Sequence, residues 1–186
     1  MKQQLHVDLK YLVLLSKTLI ENQVLKLNLV DVDLVKSAGF KVVVDAVNSS
    51  GGIYLPALLE AMGVEVVKLY CEPTGEFPHN PEPLPEHLHD LCSLVAESKA
   101  DLGVVVDPDV DRLAIVSEDG SLFGEEYTLV AVADYILQIK KGNTVSNLSS
   151  TRALHDVSKI HGVNYFASAV GEVNVVEKMK EVDAVI

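Results

Sequence analysis

Cysteine is scarce in this sequence, positive charge is outnumbered, and no apolar run is long enough to cross a membrane. Two cysteines, Cys71 and Cys92, are too few for a disulfide framework and read as reduced thiols in a cytoplasmic protein. A zinc site needs a denser cluster of Cys and His. Fifteen Lys and Arg stand against 27 Asp and Glu, a net charge of -12, so the surface repels nucleic-acid backbones and suits recruitment of a divalent cation. The N-terminal stretch MKQQLHVDLKYLVLLSKTLI is interrupted by Asp8, Lys10 and Lys17 and lacks the pattern of a secretion signal. Nothing approaches the roughly 20 apolar residues of a membrane span. The chain does have 48% hydrophobic and 23% charged residues over 186 positions, enough to bury a core.

Periodicity divides the chain. Residues 6–39 read as a helical arm, the remnant of a preceding domain, with Leu9, Leu12, Val13 and Ser16 on one face and a short helix from Asp31, its N-cap, to a stop at Gly39. From residue 40 the texture changes to short β-branched runs alternating with helical segments. Strands are expected at 41–45, 64–70, 102–106 and 113–116, and helices at 53–62, 84–100 and 125–139. An Asp-Gly turn at 118–121 signals a hairpin. Strand, helix, strand, helix, strand then repeats over 144–148, 152–161, 164–167, 173–181 and 184–186. This order implies an α/β fold class, with βαβ units and mixed, mostly parallel sheets. The expected domains are the arm at 1–39, an α/β domain at 40–141 and an incomplete one at 142–186. Because the last strand has nothing after it to cover the sheet, the C-terminus reads as a truncation.

The chemistry concentrates in one loop. Asp107, Asp109 and Asp111 alternate just past a buried strand, and Arg112 comes next. Three carboxylates so placed repel one another unless a hard cation gathers them, and the carboxyl end of a strand is where open α/β sheets bind ligands. Arg112 adds a donor suited to a phosphate oxygen. An EF-hand is excluded, because its sixth position falls on Arg112 and a strand, not a helix, precedes the loop. A haloacid-dehalogenase-type phosphatase, with Asp107 as the nucleophile, remains an alternative. The turn at 48–52 matches no Gly-rich phosphate fingerprint and reads as a helix cap. His79, in a Pro-rich loop, reads as packing or a domain contact. His6, His87, His89, His155 and His161 read as surface residues.

The loop and its flanks, VVVDPDVDRLAIVSEDGSLFGEEYTLVAVADYIL, resemble the metal-loop region of the α-D-phosphohexomutases, the phosphoglucomutase/phosphomannomutase family. KVVVDAVNSSGG and EFPHNPEPLPEHL are similar to that family's second domain. NLSSTRALHDVSKIHG and AVGEVNVVEKMKEVDAVI are similar to most of its third. The resemblance covers about residues 30–186. It implies an isomerase that moves phosphate between the 1- and 6-positions of a hexose phosphate, through a phosphoserine and a bisphosphate, with Mg²⁺ as cofactor. Asp107, Asp109 and Asp111 would be the metal ligands, and Arg112, Glu172 and Arg152 would face phosphate or substrate. Glu172 departs from the His or Lys usual at its place, and as a helix-opening acid it equally suits the helix dipole. Arg152 has an equally good structural reading at the start of a helix. No Thr-Ala-Ser-His-Asn-Pro phosphoserine loop occurs in the chain. No catalytic residue is therefore assigned, and the chain alone is expected to be inactive. Sugar specificity and oligomeric state stay open.

Overall fold

Branched aliphatic side chains are stiff about χ1 and pack well on a pleated surface, and the valine-rich runs of this chain do become its central strands. The computed structural model describes residues 22–124 and 126–186. Contacts gather the chain into two units, Met1–Leu122 and Phe123–Ile186. The apolar face anticipated around Leu9–Ile20 lies outside the described residues.

In the first unit, α1 (Val32–Ala38) starts on Asp31, whose side chain accepts from the Leu34 N–H at 2.9 Å, and stops at Gly39. After it come β1 (Lys41–Asp45), α2 (Gly51–Ala61), β2 (Glu65–Leu69), α3 (His89–Ser98), β3 (Leu102–Val106) and β4 (Leu113–Ser117). The sheet order is β2-β1-β3-β4. β1 pairs in parallel with both β2 and β3, Val42 lying opposite Val66 and Leu102, while β4 closes the edge antiparallel to β3. Alternation along β1 sorts its valines. Val43 joins Leu88, Leu91, Val95, Val105 and Val116 on one face. Val42 and Val44 meet Val35, Leu55 and Leu59 on the other. Each such side chain contributes about 1.5–3 kcal/mol when fully buried. Gly103 sets the spacing, since a Cβ there would stand 2.6 Å from a Val95 methyl and force α3 off the sheet.

Two expectations are corrected. The helix anticipated over 84–100 is a 3₁₀ turn, Pro85–His87, and then α3, because Leu88 (φ -104, ψ 15) leaves the helical region between them. The Asp-Gly turn reverses the chain, with the Gly120 N–H on the Ser117 carbonyl, but the returning segment makes a single bridge, Leu122 to Val116. The full hairpin is β3–β4, and the acidic loop 107–112 is its connection. The division after Leu122 falls ahead of the boundary expected at 141/142.

The reason lies in the second unit. There α4 (Tyr127–Ile139), β5 (Thr144–Asn147), α5 (Ala153–Ile160), β6 (Tyr165–Ser168) and α6 (Glu172–Glu181) assemble around parallel β5 and β6. Asp134 on α4 meets His161 Nε2 at 2.6 Å, and Lys141 Nζ donates to the His161 carbonyl at 2.8 Å, which ties α4 to the end of α5. His161 is thus no surface residue; its side chain is 12% exposed. Thr144 and Ser158, both buried, satisfy each other at 2.6 Å. Residues 184–186 form no full strand, but one parallel bridge joins Ala184 to Asn143, and the Val145 N–H donates to the Ile186 carbonyl. Among the described residues no helix is long and apolar enough to cross a membrane.

Candidate metal centre

The acidic loop is shaped by its own first carboxylate. Asp107, 5% exposed, comes directly after buried Val105 and Val106. Its Oδ1 accepts from the backbone N–H groups of both Asp111 and Arg112 at 3.1 Å, and its carbonyl accepts from the Val110 N–H at 3.1 Å. These three bonds curl the chain back on itself. The curl holds Val110 at φ 62, a conformation β-branched residues resist, at a cost of about 1–3 kcal/mol. The neighbouring turn supports the loop from behind. Ser50 Oγ donates to the Pro108 carbonyl at 3.2 Å, and a Cβ on Gly51 would strike Val106 at 2.7 Å.

The curl brings Asp107, Asp109 and Asp111 together, with one oxygen from each within 4.8 Å of the others. Crowding of like charge is visible in Asp111: the Asp109 carboxylate, and then its hydrogen bond with Asp107, push its pKa above the ordinary carboxylate value. A hard divalent cation suits this donor set. Such an ion takes oxygen ligands, which these three residues supply.

Arg112 lies beside them, its Nε 3.7 Å from Asp107 Oδ2 and 3.9 Å from Asp111 Oδ1. Its Nη1 donates to Glu82 Oε1 at 2.7 Å, the main reason its proton is held still more firmly than usual. An open cavity of about 500 Å³ runs along Glu82, Asp107, Asp109 and Arg112. Four of the six anticipated site residues therefore meet in one place. The other two belong to the second unit. Arg152, 83% exposed, precedes α5 and lies 3.9 Å from Asp156, a helix-end placement. Glu172 opens α6, exposed, where an acid favours the positive end of the helix.

Sequence reasoning missed Glu82, Asp45 and Asn80. Asp45 ends β1, and one of its carboxylate oxygens meets His79 Nε2 at 3.0 Å. That contact fastens His79 to the end of β1. Only the Pro-rich setting of His79 and Glu82 hinted that this loop is held in one shape.

Comparison with known proteins identifies the family. Residues 21–120 match the family model for phosphoglucomutase/phosphomannomutase, alpha/beta/alpha domain II, and residues 124–186 match that for domain III. The phosphomannomutase/phosphoglucomutase of Pseudomonas putida is 36% identical over 159 residues, which are 84% of this chain and 34% of that protein. The phosphoglucomutase/phosphomannomutase of Thermococcus kodakarensis is 35% identical over 156 residues, 83% of this chain and 34% of that one. A solved structure of a family protein from Burkholderia thailandensis superposes with a TM-score of 0.72 at 28% identity, covering 82% of this chain and 35% of that chain. The chain thus spans about a third of the length of the curated relatives it matches. The haloacid-dehalogenase alternative finds no support among these matches. With both matched segments in the order the sequence resemblance implied, the chain belongs to the phosphoglucomutase/phosphomannomutase family.

Proposed function

We propose that this chain contributes the Mg²⁺-binding loop to an isomerase that interconverts hexose 1-phosphate and hexose 6-phosphate through a phosphoserine and a bisphosphate. The observation that carries the reading is the gathering of three carboxylate oxygens within 4.8 Å at the carboxyl end of β3. Asp107, Asp109 and Asp111 hold the cation. When bound, it neutralises charge at a transferring phosphoryl group. Arg112 supplies an N–H fork to a phosphoryl oxygen, and the backbone bonds to Asp107 keep that fork beside the carboxylates as the ligand arrives. Arg152 and Glu172 are assigned to the substrate side, where Glu172 bears on the choice of sugar. No Thr-Ala-Ser-His-Asn-Pro loop occurs among these 186 residues, so the chain alone is expected to turn over no hexose phosphate.

Calorimetric titration of Mg²⁺ into the chain tests the reading. Saturable binding that Asp109→Ala abolishes is the expected result. Equal binding by the Asp109→Ala variant, or no binding even with phosphate present, overturns it.

A further inference from the structure

The Pro-rich segment between β2 and α3 contributes nothing to the carboxylate triad, yet it carries a fourth carboxylate to the edge of it. The placement is built from several contacts. At its near end, the Gly75 N–H donates to the Asn48 carbonyl at 2.9 Å, and Asn48 Nδ2 donates to the Glu76 carbonyl at 3.1 Å. In the middle, His79 is wedged between the Asp45 carboxylate at 3.0 Å and the Asn80 carbonyl at 2.8 Å, with its ring edge-on to Tyr70. Beyond it, Asn80 Oδ1 accepts from the Glu82 N–H at 3.1 Å, turning the chain so that Glu82 reaches Arg112 Nη1 at 2.7 Å. Buried Asp45 therefore fastens the loop whose tip grips the arginine.

The grip itself is weak. Both partners of the pair are about half exposed, and ion pairs of that kind exchange readily for a better anion. Glu82 and Arg112 also line the cavity that Asp107 and Asp109 share. A phosphate entering there meets a guanidinium already engaged, with the negative charge of Glu82 beside it.

We infer that Glu82 is a resident competitor for Arg112: its carboxylate holds Nη1 where a phosphate oxygen belongs, and a phosphoryl dianion binds by displacing it. The inference rests on the assignment of the triad to a cation and of Arg112 to phosphate. Glu82 then sets how strong an anion must be to enter. A singly charged, singly coordinating anion gains little by the exchange, whereas a phosphate dianion gains both the fork and the cation.

Titration of inorganic phosphate into the Mg²⁺-loaded chain, followed by ³¹P NMR and calorimetry, tests this in wild type, Glu82→Gln and Glu82→Asp. Removing the competitor's charge is expected to tighten phosphate binding about two- to fivefold, the size of an exposed ion pair. Glu82→Asp, one methylene shorter, should fall between the two. A purely structural Glu82 would weaken phosphate binding when replaced; unchanged or weaker binding by Glu82→Gln overturns the inference. The chain has two arginines, Arg112 and Arg152, so the Nη–H signals of Arg112, whose Nη1 meets Glu82, give a second readout. Their solvent exchange should quicken in Glu82→Gln without phosphate, and unchanged exchange overturns the grip itself. Thermal melts of the three proteins should coincide, since the pair is exposed. If Mg²⁺ binds and depends on Asp109 but phosphate affinity ignores Glu82, the competitor fails and the metal assignment stands. If Mg²⁺ does not bind at all, both fail together.

Discussion

Two aspartate–histidine pairs join residues far apart in sequence, Asp45 with His79 in the first unit and Asp134 with His161 in the second, and their aspartates respond oppositely. Asp45, 1% exposed, has its pKa pushed up, chiefly by burial, although the Val47 N–H and His79 both favour its charge. Asp134, whose side chain is 48% exposed, has its pKa drawn down, chiefly by the hydrogen bond from His161. The same two functional groups at hydrogen-bond distance thus give opposite signs. Water decides between them: where solvent reaches the carboxylate, the partner's attraction dominates, and where it does not, desolvation exceeds that attraction.

Breaking the buried pair should produce the largest effect. His79→Ala leaves the Asp45 carboxylate buried without its partner and is expected to cost about 3–5 kcal/mol in urea unfolding. A loss below about 1 kcal/mol would mean that water or another donor reaches Asp45 unaided. The next effect is one of sign. Because the folded-state pKa of Asp45 lies above the ordinary 3.8, the stability it lends is complete below that value and is lost as pH rises through the folded value. For Asp134 the folded pKa lies below 3.8, so its contribution is present above that value and is lost as pH falls through the folded one. Unfolding midpoints of wild type, Asp45→Asn and Asp134→Asn across the acid range should therefore diverge with opposite slopes. Parallel slopes would erase the distinction. The smallest effect is Asp134→Asn at neutral pH, where a solvated pair should barely move the melting temperature; a large drop would place Asp134 in a drier setting than its exposure indicates.

Local pattern makes much of this legible in advance. β1 and β3 fall where the valine runs place them, 41–45 and 102–106, because β-branched content is a property of the segment itself. The acidic triad is equally legible, since alternation within five residues needs only a turn to bring the side chains together. Contacts between distant residues leave no such trace. Glu82 meets Arg112 across 30 positions, and His79 meets Asp45 across 34, with nothing in either sequence neighbourhood to announce the partner. His161 escapes a sequence reading for the same reason: a lone histidine after an amphipathic helix looks solvated until Asp134 and Lys141 are folded onto it. That same packing sets the unit boundary ahead of α4.

The two backbone N–H groups that converge on Asp107 Oδ1 bear on denticity. With that oxygen already accepting twice, Asp107 offers an incoming cation Oδ2 alone, as a one-point ligand. Large ions with seven or eight coordination positions profit from carboxylates that bind through both oxygens, whereas a small octahedral ion takes one oxygen from each and keeps its remaining positions for water or substrate. On the proposed reading, a backbone turn, rather than any further side chain, would tilt the loop's ion preference toward the smaller cation.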